Sequence, residues 1–177
     1  VQGRFRYQYN NVIEGQNYYK EGVFNQFSVG ALISRKNIDN PIFPSNGTSL
    51  QLDVELSGGR FLPGDVDYLK INFLTEWYRR LFNSNRVALY TIANVGYLDE
   101  IVPGTNIQPF EFFYMGGNGL VIATTALRGY DDRTVGPKDP KTGYVIGGRV
   151  MAKFGAELRV AVTLEPIPLY ILMFAEA

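Results

Sequence analysis

The chain has 177 residues with equal numbers of basic and acidic side chains, 17 of each, so it offers no basic surface for nucleic acid. It contains neither cysteine nor histidine, which removes thiol chemistry, histidine-containing catalytic triads and the commonest zinc sites. Its length suits one domain, and no linker-like stretch divides it.

Apolar and polar side chains alternate with a period of two along most of the chain, which is typical of β-strands. The pattern is clearest in residues 47–57, where aliphatic side chains from Leu50 to Leu56 alternate with polar or acidic ones. In chain order, the predicted strands cover residues 3–11, 25–36, 47–57, 67–82, 86–98, 148–163 and 169–177. The sequence therefore predicts an all-β protein with about seven strands.

The predicted strands are joined alternately by short turns and by longer links. The turns at residues 36–47, 80–86 and 165–169 are rich in proline and asparagine. The longer links cover residues 12–23, 57–65 and, longest, about 99–147. Short turns at one end and long loops at the other are typical of outer-membrane barrels, whose tilted strands need roughly 9–11 residues to cross the bilayer.

Two environments remain open for such strands. No apolar run approaches the roughly 18 residues of a membrane-spanning helix, and the first residues lack the apolar segment of a signal peptide. A soluble β-sandwich, for example a sugar-binding one, would also show alternating strands. The abundance of tyrosine and phenylalanine, 12 of each, and the charged face of residues 148–163 favour an antiparallel transmembrane barrel.

The longest link has an unusual composition for a loop. It contains the stretches "PFEFFYMGG" and "LVIATTALRGY", which are too aromatic and aliphatic to stay solvated. Long loops in compact domains are usually functional or disordered, and this composition argues against disorder.

Four motifs in the same order resemble the BamA-type outer-membrane assembly factors. They are "PFEFFYMGG", "ALRGYDDRTVGP", "AELRVAVTLEPIP" and "LYILMFAEA". The stretch "NPIFPSNG" is similar to that family's barrel-turn motif, and its key positions here are Pro41, Phe43, Pro44 and Gly47. The resemblance implies that residues 1–177 are an internal portion of a 16-stranded outer-membrane barrel, with periplasmic domains and the remaining strands absent.

The resemblance also implies a structural role for the long link, which corresponds to the family's sixth extracellular loop and folds back into the barrel. The family carries a Val-Arg-Gly-Phe/Tyr motif at the tip of this loop, and here the tip reads Leu127-Arg128-Gly129-Tyr130. The arginine is expected to pair with inward acidic residues, which by motif position are Glu157 and Glu176. Because a guanidinium can bind a carboxylate through two parallel hydrogen bonds, this pairing suits a fixed latch.

The function implied by the resemblance is assembly: insertion and folding of β-barrel client proteins in the bacterial outer membrane. The expected partners are unfolded barrel clients, the lipid bilayer and, through absent domains, periplasmic accessory lipoproteins. We expect no catalytic residue, no cofactor and no metal. A secretion pore or autotransporter assembly factor of the same superfamily would use the same latch. An outer-membrane enzyme, such as a barrel protease or phospholipase, is the alternative of another class. Characterised enzymes of this kind depend on histidine, and this chain has none.

Overall fold

The computed structural model describes residues 1–13, 22–59, 61–105, 107–121 and 124–177. Its seven long or medium strands and two short ones are β1 (Gln2–Val12), β2 (Gly22–Ile38), β3 (Gly47–Ser57), β4 (Tyr68–Arg80), β5 (Val87–Asp99), β6 (Tyr114–Met115), β7 (Thr124–Thr125), β8 (Val150–Thr163) and β9 (Leu169–Glu176). One 3-10 turn, η1, covers Pro109–Glu111 within the described ranges. Most of the predicted link at residues 12–23 lies outside the described residues. Among the residues described, none belongs to a helix with the length and apolar character needed to cross a membrane.

The strands form a seven-stranded antiparallel sheet in the order β1-β2-β3-β4-β5-β8-β9. This confirms the predicted fold class and the predicted number of strands. The first pair has the register Gln2↔Leu32 to Val12↔Gly22. The last pair runs from Gly155↔Glu176 to Thr163↔Leu169, with an irregularity between Ala161 and Thr163.

The two faces of the sheet reverse the usual distribution of a soluble protein. In β8 the charged residues Lys153 and Glu157 are 7% and 5% exposed, whereas outward Phe154 is 55% exposed. Likewise, the outward Trp77 of β4 is 60% exposed. Buried charges facing in and large apolar side chains facing out are the signature of a transmembrane barrel wall and not of a soluble sandwich.

The chain divides into two compact units, and the short turns belong to one of them. This turn unit consists of residues 34–52, 73–95 and 152–177. Phe43, from the β2–β3 turn, is only 3% exposed and packs with Ala88 and Ala161. Its ring also lies 5.6 Å from that of Tyr170. The predicted turn motif thus supplies an apolar core residue.

The other unit contains the longer links and consists of residues 1–33, 53–72 and 96–151. Its core is formed by Val66, Tyr68, Leu98 and Ile107, with Phe24, Phe112 and Phe113 packed against them. Three of these seven residues come from the connection between β5 and β8, which covers residues 100–149. This loop, called loop six below, is therefore a packed part of its unit and not a solvated excursion.

Candidate functional site

The Leu127-Arg128-Gly129-Tyr130 motif is held by a small hydrogen-bonded frame within loop six. β6 and β7 pair in parallel, Tyr114 with Thr124 and Met115 with Thr125. Beyond them, the Leu127 amide donates to the Gly117 carbonyl at 3.1 Å, and the Gly117 amide donates to the Tyr130 carbonyl at 2.8 Å. The two "loop" stretches singled out in the sequence therefore bind each other.

Glycines make this close approach possible. Gly116 has φ +129°, and a Cβ there would lie 2.1 Å from the Asp131 carbonyl oxygen. Gly129, at the motif itself, has φ +88° but open space around it. Gly116 is thus required by packing as well as conformation, whereas Gly129 is required by its left-handed conformation alone.

The motif's side chains differ in their surroundings. Leu127 is 5% exposed, and Tyr130 is 55% exposed. Arg128 is half-buried in the turn and lines a cavity of about 320 Å³ together with Asn118 and Asp132. The apolar first position of the motif is the buried one, which explains why leucine can replace valine there.

Glu157, the first predicted acidic partner, lies in a charged and aromatic cluster on the inner face of the turn unit. Its Oε2 accepts hydrogen bonds from Arg159 Nε at 2.7 Å and pairs with Arg159 Nη2 at 2.6 Å. The Arg159 guanidinium lies 4.2 Å from the Tyr90 ring centroid and 5.9 Å from that of Tyr78. Both tyrosine hydroxyls donate to Glu76 Oε1, Tyr90 at 2.9 Å and Tyr78 at 3.4 Å.

Glu176, the second predicted partner, is 6% exposed at its side chain and pairs with Lys153 Nζ at 3.4 Å. Its strand register places it directly opposite Gly155, so it shares the face of Glu157 two residues further on. Both carboxylates therefore have a cation on their own face of the sheet. The pairing of Arg128 with either of them stays a prediction.

The predicted turn motif is built around Asp39. Asp39 Oδ1 accepts from the amides of Ser45 and Asn46 at 2.9 and 3.0 Å, and Oδ2 accepts from the Ser45 hydroxyl at 2.5 Å. Arg80 Nη2 adds a contact of 3.2 Å to Oδ2. Gly47 has φ +128°, and a Cβ there would lie 2.1 Å from the Asn37 carbonyl oxygen. Although partial burial opposes the shift, these hydrogen bonds lower the pKa of Asp39 to about 2.

One group of polar residues was not identified from the sequence. Glu111 is 3% exposed and contacts side chains of β1, β2 and β4. The only sequence signal was a carboxylate inside the aromatic stretch "PFEFFYMGG", where a charge needs a buried partner. Across the ranges that the structure describes, no three acidic, cysteine or histidine side chains converge on a possible metal position.

Comparison with known proteins gives a family match along the whole sequence. Residues 1–177 match the Omp85 superfamily domain. A SAM50-like protein of Schizosaccharomyces pombe is 29% identical over 141 residues, covering 80% of this chain and 27% of that protein. The outer membrane protein assembly factor BamA of Nitratidesulfovibrio vulgaris is 31% identical over 119 residues, covering 67% of this chain and 14% of that protein.

The structure is also similar to a solved barrel protein. The crystal structure of BamA from Haemophilus ducreyi lacking POTRA domains 1-3 superposes with a TM-score of 0.61 at 19% identity. The match covers 88% of this chain and 29% of that one. The chain thus spans less than a third of each of these relatives, and the structural likeness shows a shared fold.

Proposed function

Because this chain belongs to the Omp85 superfamily, we propose that it is part of an outer-membrane barrel that inserts and folds other β-barrel proteins. The observation that carries the proposal is the family match over all 177 residues. The buried inner charges and exposed apolar outer face of β8 support a membrane-spanning wall. One relative is named an outer membrane protein assembly factor.

The proposed activity needs no covalent step and no nucleotide. An unfolded barrel protein entering a bilayer has unpaired backbone groups, each of which is costly in hydrocarbon. An assembly factor can lower this cost by offering a strand edge on which the client forms its first β-pairs. In this scheme loop six keeps the barrel in a conformation that can offer a strand edge to the client. No residue of this chain acts as a catalyst.

The partners and location follow from the same scheme. We propose that the clients are unfolded β-barrel proteins and that accessory lipoproteins bind periplasmic domains outside this chain. We place the protein in the bacterial outer membrane. Because one relative comes from fission yeast, which is not a bacterium, the bacterial location is part of the proposal. Membrane fractionation of the source cell tests it.

The test of the proposed function uses the full-length protein in liposomes and a urea-unfolded barrel of an unrelated family as the client. We expect the wild-type protein to accelerate client folding. We expect Arg128→Ala to lower both this rate and the folded yield of the variant itself, with membrane targeting intact, because a latch between loop and wall is lost. Glu157→Ala should likewise lower the client-folding rate and the folded yield of the variant.

The matched control is Lys141→Ala, which removes an exposed cation from the same loop. It should leave client folding at the wild-type rate. A wild-type protein that does not accelerate any client, but exports one partner protein encoded beside it, would instead identify a secretion pore. Wild-type activity and yield in Arg128→Ala would contradict the latch.

A further inference from the structure

A buried polar cluster joins the beginning of loop six to four strands of the sheet. We define this Glu111 cluster as Arg6 of β1, Gln26 of β2, Glu55 of β3, Tyr68 and Lys70 of β4, and Glu111 of η1. Glu111 and Arg6 are separated by 105 positions in the sequence. All six residues belong to the unit that contains loop six.

Every polar atom of the Glu111 side chain has a partner on a strand. Oε1 accepts from Arg6 Nη2 at 2.8 Å and from Gln26 Nε2 at 3.1 Å. Oε2 lies 3.4 Å from Lys70 Nζ, which also donates to the Glu111 carbonyl oxygen at 2.6 Å. A single loop residue is therefore held through side chain and backbone by three different strands.

The wall residues are themselves preorganised to receive this carboxylate. Tyr68 Oη donates to Glu55 Oε1 at 2.8 Å and accepts from Arg6 Nη2 at 2.6 Å and from Gln26 Nε2 at 2.7 Å. Arg6 Nη2 also contacts Glu55 Oε1 at 2.5 Å. Both Arg6 and Gln26 thus have partners on the sheet in addition to Glu111.

Charge within the cluster is balanced only when the loop is docked. Arg6 and Lys70 supply two positive charges, Glu55 supplies one negative charge, and Glu111 supplies the second. The nearby Arg4 pairs with Asp53 as well as Glu55, so it adds no net charge to the wall. Withdrawal of Glu111 would leave a surplus positive charge shared by Arg6 and Lys70, whose side chains are 35% and 25% exposed, so water would offset only part of the lost attraction.

Aromatic packing of Phe113 beside Glu111 reinforces this docking. Phe113 exchanges backbone hydrogen bonds with Gly148, each at 2.9 Å. Its ring lies against Gly96 of β5, where a Cβ would come within 2.6 Å of it. Lys70 Nζ lies 5.2 Å from the centroid of the same ring. The Glu111 carboxylate, in a residue only 3% exposed, is therefore shielded from water, and this strengthens its polar contacts.

We propose that Glu111 is a second anchor of loop six, independent of Arg128, and a positioning residue for assembly. It fixes the start of the loop against β1, β2 and β4, whereas Arg128 lies at the loop's tip. The contacts described above support the docking of loop six at Glu111, and only the effect on assembly rests on the proposed function. Loss of the anchor should increase opening of the segment 107–117 without unfolding the sheet.

Hydrogen–deuterium exchange of the full-length protein in liposomes measures this opening directly. In Glu111→Gln the protection factor of peptide 107–117 should fall about tenfold, as expected when a charged hydrogen bond in a buried site is lost. Arg6→Gln should have a similar effect, and the two substitutions together should not add, because they remove one shared contact. Protection of a peptide covering 150–160 reports in the same experiment that the sheet remains folded.

The matched control is Asp139→Asn, since Asp139 is another buried carboxylate of loop six but binds Thr142 within its own turn. It should leave peptide 107–117 at wild-type protection. Unchanged protection of that peptide in Glu111→Gln, with protection of 150–160 also unchanged, would overturn the anchor.

Client-folding rates then test whether Glu111 acts independently of Arg128 and whether it positions loop six for assembly. The effects of Glu111→Gln and Arg128→Ala on the client-folding rate should add on a free-energy scale if the anchors are separate. A double variant no slower than the slower single variant would overturn independence. If the wild-type protein accelerates no client, the proposed function fails, while the exchange experiment still decides whether Glu111 anchors the loop.

Discussion

Arg159 and Glu157 lie two residues apart on β8 and therefore on the same face of the sheet. The guanidinium binds Glu157 Oε2 through two nitrogens, and its central carbon lies within 6 Å of the ring centroids of Tyr78 and Tyr90, at 5.9 and 4.2 Å. This arrangement fixes the orientation of the carboxylate that is predicted to meet loop six. Arg159 thus acts as a support for Glu157.

Replacing Arg159 tests this support. We expect Arg159→Leu to destabilise the protein by about 1–3 kcal/mol, because a partly buried hydrogen bond between charged groups is lost. The stability of Arg159→Lys should lie between those of Arg159→Leu and the wild type, since an ammonium keeps the charge but loses the planar, two-nitrogen contact. The measurement is urea-induced unfolding of the full-length protein in liposomes. Equal midpoints for wild type and Arg159→Leu would contradict the prediction.

For individual side chains, the sequence predicted which face of a strand they occupy better than it predicted which partners they bind. Alternation placed the charges of residues 148–163 together on one face, because strand geometry alone decides that. It did not show that Arg159 binds Glu157 or that Lys153 binds Glu176, since those contacts depend on rotamers and on the register with β9. Glu111 was missed because its partners are brought together only by sheet topology.

The β2–β3 turn shows how a short motif can fix the connection between two strands. Asp39 binds the far end of the turn through Ser45 and Asn46 and reaches β4 through Arg80. The sequence predicted this turn from Pro41, Phe43, Pro44 and Gly47. It did not predict the central role of Asp39, because nothing in the proline-glycine pattern identifies which carboxylate accepts the amides.

The lowered pKa of Asp39 predicts how the turn responds to acid. The ordinary pKa is 3.8 and the folded-state pKa is about 2, so the ionised carboxylate stabilises the folded state. That contribution is complete above about pH 4 and is lost as the pH falls through about 2. We expect Asp39→Asn to be less stable than wild type at pH 6, with the difference shrinking between pH 4 and 2.

The measurement compares urea-unfolding midpoints of Asp39→Asn and wild type across that pH range. Other carboxylates titrate in both proteins, so their effects cancel in the difference. Asp131→Asn serves as a matched control because Asp131 is an exposed aspartate in another loop. A difference between Asp39→Asn and wild type that stays constant down to pH 2 would show that the charge of Asp39 does not stabilise the turn.

Loop six was the element least accessible to sequence reasoning. Its aromatic composition correctly excluded a solvated loop, because such side chains favour burial. The pairing of β6 with β7 and the contacts of Gly116 were not predicted, since the paired residues form two-residue strands too short for any periodic pattern. The predicted boundaries of about 99–147 nevertheless lie close to the observed 100–149.

For the sheet taken together, the alternation of apolar and polar residues did not decide which face is exposed to its surroundings. Alternation is the same for a soluble sandwich and a membrane barrel, because both have one apolar face. The two differ in which face is covered by protein, and that depends on long-range packing. Buried Lys153 and Glu157 beside exposed Phe154 decide it in favour of a lipid-facing outer surface.

An outward-facing charge near the middle of β8 tests this assignment. Ala156 is exposed and lies between outward Phe154 and Leu158, near the centre of the 14-residue strand. We expect Ala156→Arg to destabilise the full-length protein in liposomes by about 2–4 kcal/mol, because an arginine would enter hydrocarbon near the bilayer midplane. Tyr144→Arg introduces the same side chain at a 71% exposed position of loop six, and should change stability by less than about 0.5 kcal/mol. Urea-unfolding midpoints measure both. If the two variants were equally stable, the outer face of β8 would be in contact with water and the membrane assignment of the sheet would be wrong.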